Sequence, residues 1–323
     1  MLTGQELPHS VMLRGVFYGR FLLRPSFDPH GMSAISPDTT AQLAAQLVSH
    51  IRAIGPVAVA FSGGVDSAVV AMAAYLAAGD DAVAVTAVSP SLARADLEFA
   101  IAEAARIGIR HRQIQTAELQ SNSYRRNHGD RCFHCRDTMY STMEALQQHT
   151  AGQQILNGAN LDDLGDHRPG MQAAQQHHVR SPLIELNIRK QQVRELAEFW
   201  KLQSAARPAS PCLASRIAYG VEVTPERLRS IELAEAYLRP LLADQSFRVR
   251  LEADGLARIE VTPQMIPLLA DERTRAGVVA EFRSLGFRAV TLDLDGFRSG
   301  NLNQLLVPLG TAARQSEHSP DEH

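Results

Sequence analysis

From Val57 onward, short apolar runs alternate with segments whose apolar residues recur at helical spacing. "VAVAF" (57–61) has the pattern of a buried strand, and "SAVVAMAAYLAAG" (67–79) that of a helix closed by Gly79. "DAVAVTAVS" (81–89) predicts a second strand and "LARADLEFAIAEAARIG" (92–108) a helix ending at Gly108. "HRQIQTAEL" (111–119) and "QQILNGAN" (153–160) add two more strands, with an amphipathic helix from about Phe133 to Gln148 between them. Strands alternating with helices of this length build parallel βαβ units, so the fold class is α/β, a doubly wound parallel sheet with helices on both faces. Ligands of such sheets bind at the carboxyl ends of the strands.

The pattern changes further along. "SPLIELNIRKQQVRELAEFWKL" (181–202) predicts a strand-like turn and a helix, and the loop "QSAARPASPCLASRIAYG" (203–220) is rich in Ala, Ser and Pro. A helix over 225–243 follows, then "FRVRLEADGLARIEV" (247–261) with a turn at Asp254-Gly255, helices within 263–285, and the strand "FRAVTLDLDG" (287–296). This is a small α+β unit, so one domain is expected over 37–218 and a second, for substrate or oligomerisation, over 219–305. There is no internal repeat. The Arg-rich, acid-free stretch "MLRGVFYGRFLLRPSF" (12–27) loosely resembles a targeting peptide, but its apolar part is interrupted by Arg20. The simpler expectation is a poorly ordered leader over 1–36, with the folded protein beginning near Met32, and a polar tail over 306–323.

The 323 residues are 45% hydrophobic and 21% charged, ordinary for a globular protein. A net charge of −3 gives no global basic field for holding nucleic acid. No apolar run approaches the roughly 18 residues of a membrane span. Three cysteines, an odd and low number, argue against a secreted disulfide framework and for a cytoplasmic location.

"AFSGGVDSAVV" (60–70) is the most specific stretch. After a buried strand, Ser62, Gly63 and Gly64 allow a tight turn close to an anion, and Val65, Asp66 and Ser67 open a helix whose first amides and Ser67 hydroxyl point at it. A phosphate belongs there, although a plain strand-to-helix turn uses the same residue types. Asp66 suits a cap, or the orientation of a metal ion or of the loop. "NGANLDDLGDHRPG" (157–170) offers Asp162, Asp163 and Asp166 for Mg²⁺ on the phosphates.

"SGGVDS" resembles the pyrophosphate loop (PP-loop) of the N-type ATP pyrophosphatases, which include asparagine, GMP and NAD synthetases and tRNA thiolation enzymes. The resemblance implies cleavage of ATP between its α and β phosphates: a substrate oxygen is adenylated, pyrophosphate leaves, and a nucleophile displaces AMP. "RPASPCLASRIAYG" (207–220), "RVRLEADGLARIEV" and "GFRAVTLDLDGFRSG" (286–300) resemble the LarE family, and the similarity runs from about residue 40 to 303. That family implies an ATP-dependent sulfur transferase converting the carboxylates of pyridinium-3,5-biscarboxylic acid mononucleotide to thiocarboxylates, for the nickel-pincer nucleotide of lactate racemase. It also implies a homo-oligomer such as a hexamer, while charge and apolar runs give neither nucleic acid nor membrane as partner.

Some family members give up the sulfur of one cysteine, and that cysteine corresponds to Cys212. Others resemble tRNA thiolases in holding a [4Fe-4S] cluster on three cysteines, and "RCFHCRDTMY" (131–140) supplies the extra pair, Cys132 and Cys135. Three thiolates on a four-iron cube leave one iron open for sulfur. A closed zinc site with His134 or His128 is the alternative metal centre, and unliganded thiols, with Cys212 consumed and the others packed at a helix start, are a third.

A substrate bearing a phosphate and two carboxylates calls for arginine forks. Arg216, close after Cys212, is the leading candidate. Arg248 and Arg250 share one face of a strand, although solvated strand arginines would look the same. Ser215, Arg168 and Glu235 follow. A tRNA substrate would call for a basic face that the composition does not show. A non-catalytic nucleotide-binding or sulfur-carrier protein would lack ATP-dependent pyrophosphate release.

Overall fold

In the computed structural model, four short strands share one parallel sheet: β1 (Val57–Ala60), β2 (Ala82–Val88), β3 (Arg110–Gln115) and β4 (Gln154–Leu156), in the order β3-β2-β1-β4. The structure describes residues 37–147, 153–165, 169–208, 210–243 and 246–298; the expected leader over 1–36 and tail over 306–323 lie outside them. The chain runs from β1 outward through β2 to β3, then returns to β4 on the other side of β1. The junction of β1 and β4 is therefore the switch point at which such a sheet opens a ligand crevice.

Helices cover both faces. In chain order they are α1 (Pro37–Ile54), α2 (Val65–Ala78), α3 (Arg94–Ile107), the single turn α4 (Asn122–Arg125), α5 (Arg131–Gln147), α6 (Pro169–Gln176), the short α7 (Pro182–Glu185) and α8 (Lys190–Phe199). Val57 and Val59 of β1 pack with α1, α2, α3 and α8, while Ala58 and Ala60 pack with Tyr140 and Met143 of α5 and Ala173 and Ala174 of α6. The alternation is the period-2 pleat of a strand buried on both faces. Glycines stop two of the helices, Gly79 after α2 at φ 54° and Gly108 after α3 at φ 83°, where each closing N–H returns to a carbonyl of the last turn. The strand-like turn expected near 181–186 is helical instead: Pro182 occupies the first turn of α7 and Glu185 donates its N–H to the Ser181 carbonyl.

A second sheet, β5 (Phe247–Leu251), β6 (Leu256–Val261) and β7 (Ala289–Leu292), has its own apolar cluster with α9 (Pro225–Leu238) and α11 (Glu272–Ser284); the short α10 (Ile266–Ala270) precedes α11. Phe247, Val249 and Leu251 enter that cluster. Arg248 and Arg250 take the alternate positions, in register with Glu260 and Arg258 of β6. Both sheets belong to one compact unit. No helix among the described residues is long and apolar enough to cross a membrane.

α5 and α6 are clamped by His177, whose Nε2 lies 2.9 Å from Asp137 and Nδ1 3.0 Å from Glu144. Only an imidazolium can donate from both nitrogens. Burial alone would lower the His177 pKa, but these two hydrogen bonds and charges outweigh it and hold the group above its ordinary 6.5. A raised folded-state value means the clamp stabilises fully below the unfolded pKa and loses that contribution as pH rises through the folded one. His177→Gln should therefore lower the urea midpoint clearly at about pH 5.5 and much less at about pH 9; an equal loss at both pH values would contradict the charged clamp.

Candidate active site

The turn after β1 is closed by its own serines. The Ser67 hydroxyl donates to the Gly64 carbonyl at 2.9 Å and accepts the Ser62 N–H at 3.2 Å, while Ser62 Oγ accepts the Gly64 N–H at 3.3 Å. Ser67, expected to point at the anion, is turned inward and buried, and shares the Gly64 carbonyl with the Ala68 N–H, which donates to it at 2.9 Å. Gly63 stands at φ +73°, and a Cβ there would lie 3.0 Å from Ala100 of α3, so the position requires glycine twice over. Gly64 begins α2 without any side-chain cap. The first amides of α2 thus have neither an intrahelical partner nor a capping oxygen, which is the arrangement that holds phosphate.

Across the switch point, Gly158 lies against this turn so closely that a Cβ would sit 2.7 Å from Ser67 N and 2.8 Å from the Asp66 carbonyl carbon. Asp66 reaches across as well: Oδ1 accepts from Asn160 Nδ2 at 3.0 Å and Oδ2 from Lys190 Nζ at 2.5 Å. Asp66 is therefore the tie between the α2 terminus, the loop after β4 and the start of α8. Lys190 neutralises it and brings an ammonium to the mouth of the phosphate turn. Asp162 accepts the Lys190 N–H at 2.8 Å and pairs with Arg189, and Asp163 accepts the Asn160 N–H at 3.0 Å. Both hold the turn that presents Asn160. Asp166 and Arg168 lie outside the described residues.

The segments that carry the cysteines are joined by a buried polar network. Arg131, at the start of α5 and beside Cys132, donates to the Ala214 carbonyl at 2.8 Å and to the Asn127 side chain. Asn127, fully buried, donates in turn to the carbonyls of Ala218 and Val221 at 2.8 and 3.0 Å. Leu213, next to Cys212, donates to the Ser91 carbonyl at 2.8 Å, and the Ser91 and Tyr124 hydroxyls stand 2.6 Å apart. Cys132 and Cys212 are exposed, whereas Cys135 packs on the second apolar cluster. Burial pushes the Cys135 thiol up to about 12, with Cys212 the next contributor, and the same two sulfurs follow burial in raising Tyr124. Burial pulls the Arg131 guanidinium down, but Cys212 and Cys132 outweigh it and the net shift is upward. Among the described residues, no three His, Cys, Asp or Glu side chains form a group able to hold a single metal ion. His134 is paired with Asp130 at 3.1 Å.

Arg216 is 3% exposed and fully engaged: Nε and Nη2 meet Glu235 at 3.1 and 3.4 Å, and Nη1 grips the carbonyls of Pro211 and Cys212. Arg216, expected as a substrate fork, braces the Cys212 turn in this structure, and the Ser215 hydroxyl also closes that turn at 2.7 Å on the Cys212 carbonyl. Arg250 is buried on Glu260 and the Ser215 carbonyl, with its Nε lacking a hydrogen bond among the described residues. Arg248 lies over the Phe297 ring at 5.1 Å; burial first, then neighbouring Arg216, pull its pKa down to about 10. Arg216 and Arg250 are each paired with a buried carboxylate, Glu235 and Glu260, whose charges partly offset the crowding of the three guanidinium groups.

Residues 39–141 match the asparagine synthase family. A protein of Synechocystis described as uncharacterized is 44% identical over 249 residues, 77% of this chain and 92% of its own length. The pyridinium-3,5-bisthiocarboxylic acid mononucleotide synthase of Lactiplantibacillus plantarum is 33% identical over 272 residues, 83% of this chain and 96% of the relative. The chain belongs to the LarE family. It is an ATP-dependent sulfurtransferase with a PP-loop fold.

Seen as a LarE-family site, the arrangement includes three residues that sequence reasoning missed: Gly158, Asn160 and Lys190. A lysine opening an amphipathic helix looks like any surface lysine until β4 carries Asn160 beside Asp66. Gly158→Ala should displace the phosphate turn, because the obstructing atoms belong to the backbone. We expect ATP affinity to fall at least about tenfold by calorimetry, with stability lower by about 1–3 kcal/mol in urea unfolding. Gly129→Ala, where a Cβ meets nothing within 4 Å, should change neither.

Proposed function

We propose that this enzyme adenylates the carboxylates of pyridinium-3,5-biscarboxylic acid mononucleotide with ATP and replaces the activated oxygens by sulfur. The supporting observation is that the uncapped start of α2 and the Cys212 loop belong to the same, carboxyl end of the sheet: Gly64 follows β1 and Leu213 is bonded to Ser91, just beyond β2. The name of the L. plantarum relative supports the substrate.

In this scheme the amides of α2 and the ammonium of Lys190 take the pyrophosphate half of ATP, which makes it a leaving group when a carboxylate oxygen attacks the α-phosphorus. Mg²⁺ on the phosphates would draw on Asp163 or Asp166. Arg248, between Arg216 and Arg250, takes the substrate phosphate. Residues 37–218 would carry activation and residues 219–305 the substrate end, in a cytoplasmic homo-oligomer such as a hexamer, acting without nucleic acid.

Cys132, Cys135 and Cys212 would hold a [4Fe-4S] cluster. What supports this reading is the donor chemistry: the three thiols act electrostatically on one another and on Arg131 and Arg136, whose charges would offset thiolates. When bound, such a cluster supplies an exchangeable sulfur at the iron that lacks a protein thiolate. A second reading is favoured by the exposure of Cys212 and the half-buried, raised Cys135 thiol: Cys212 gives up its own sulfur and becomes dehydroalanine.

Anaerobically purified enzyme with ATP, substrate and sulfide separates the two. The cluster predicts about four iron and four acid-labile sulfide per chain, both lost in Cys132→Ser, and many thiocarboxylates per chain. At most one thiocarboxylate per chain, with loss of H₂S from Cys212 in the intact mass, would favour the second reading. No thiocarboxylate at all would reject both.

A further inference from the structure

One face of α3 touches both halves of the chemistry. Asp96, Ala100 and Glu103 recur at helical spacing and are all buried. Ala100 is the residue against which Gly63 of the phosphate turn is packed, at 3.0 Å from the position of a Cβ. About a turn before it, Asp96 holds the segment leading to Cys212: Oδ1 accepts from Arg207 Nη2 at 2.6 Å and Oδ2 from the Ser210 hydroxyl at 3.0 Å. Arg207 also lies over the Phe99 ring at 4.0 Å. A turn after Ala100, Glu103 accepts the Ser204 N–H at 3.0 Å. Asp96 and Glu103 are separated by about 10 Å along the helix axis, so Ser204 is held at one end of this stretch of α3 and Arg207 and Ser210 at the other. Beyond Cys212, the Leu213–Ser91 hydrogen bond fixes the segment a third time.

We propose that Asp96 is a positioning residue for sulfur transfer. With Glu103 and Phe99 it straps the Cys212 segment onto α3, whose same face backs the phosphate turn, so that the sulfur site and the nucleotide site keep one fixed offset. The inference rests on the functional reading above and adds to it how the two half-reactions are coupled. An acyl adenylate is attacked by water unless the sulfur stands within bonding reach, and a misplacement of about 1 Å costs on the order of a hundredfold in rate. Adenylation needs only the phosphate turn and the substrate. Loosening the strap should therefore uncouple the enzyme: pyrophosphate is still released, the acyl adenylate falls to water, and thiocarboxylate is not made.

The test compares wild type, Asp96→Asn and Arg207→Gln as full-length enzymes, the second variant serving if the first folds poorly. Hydrogen exchange of peptides spanning 203–216 is read beside the ratio of thiocarboxylate to pyrophosphate. The strap predicts at least about tenfold faster exchange at the Ser204 and Leu213 amides, with exchange of β1 and α2 unchanged. It also predicts pyrophosphate release within about twofold of wild type and a thiocarboxylate yield per pyrophosphate lower by at least about tenfold. Unchanged exchange in both variants overturns the strap whatever the activity. Faster exchange with an unchanged ratio overturns the positioning role. If wild type releases no pyrophosphate with this substrate, the functional reading fails, and the exchange result alone decides whether the strap exists.

Discussion

The backbone of Gly158 rests on the first turn of α2 with no room for a side chain, and the rest of the nucleotide end follows from that approach. Because the two chain segments touch there, Asn160 can reach Asp66, and Asp66 can hold Lys190 from a third segment. Three loops from distant parts of the sequence thus become one rigid rim around a helix start. An anion site made of backbone amides depends on such rigidity, since the amides act only if they are aimed before the ligand arrives.

The sulfur end is organised by a different kind of bond. Arg131 and Asn127 are buried polar side chains whose partners are mostly main-chain carbonyls of the 214–221 segment. Each would be costly if left unpaired, so the network tolerates only one path for that segment. Arg216 acts likewise on the carbonyls of Pro211 and Cys212. The cysteines are exposed or half-buried on a hydrogen-bonded scaffold, so reactive groups remain accessible while their backbone is held.

How far the chain could be understood before its structure depended on the range of the interactions involved. The strands and most helices obeyed local periodicity, and Gly79 and Gly108 marked true helix ends because a residue at positive φ is dictated locally. The PP-loop was visible for the same reason, its chemistry being concentrated in consecutive residues. Long-range pairings were not visible. Nothing near Arg216 announces Glu235, and nothing near Lys190 announces Asp66, so the bracing bonds of that arginine were not foreseen and the lysine passed as surface charge. "SPLIEL" misled because a short apolar run fits strand or helix equally, and Pro182 at its start decided for the helix.

Binding of ATP by its pyrophosphate end, with cleavage between the α and β phosphates, underlies every step assigned above. The most direct check is to incubate the enzyme with ATP and the pyridinium dicarboxylate mononucleotide and separate the adenine nucleotides formed. AMP and pyrophosphate in equal amounts, dependent on the mononucleotide, is the predicted result. ADP and orthophosphate, or ATP returned intact, would contradict it.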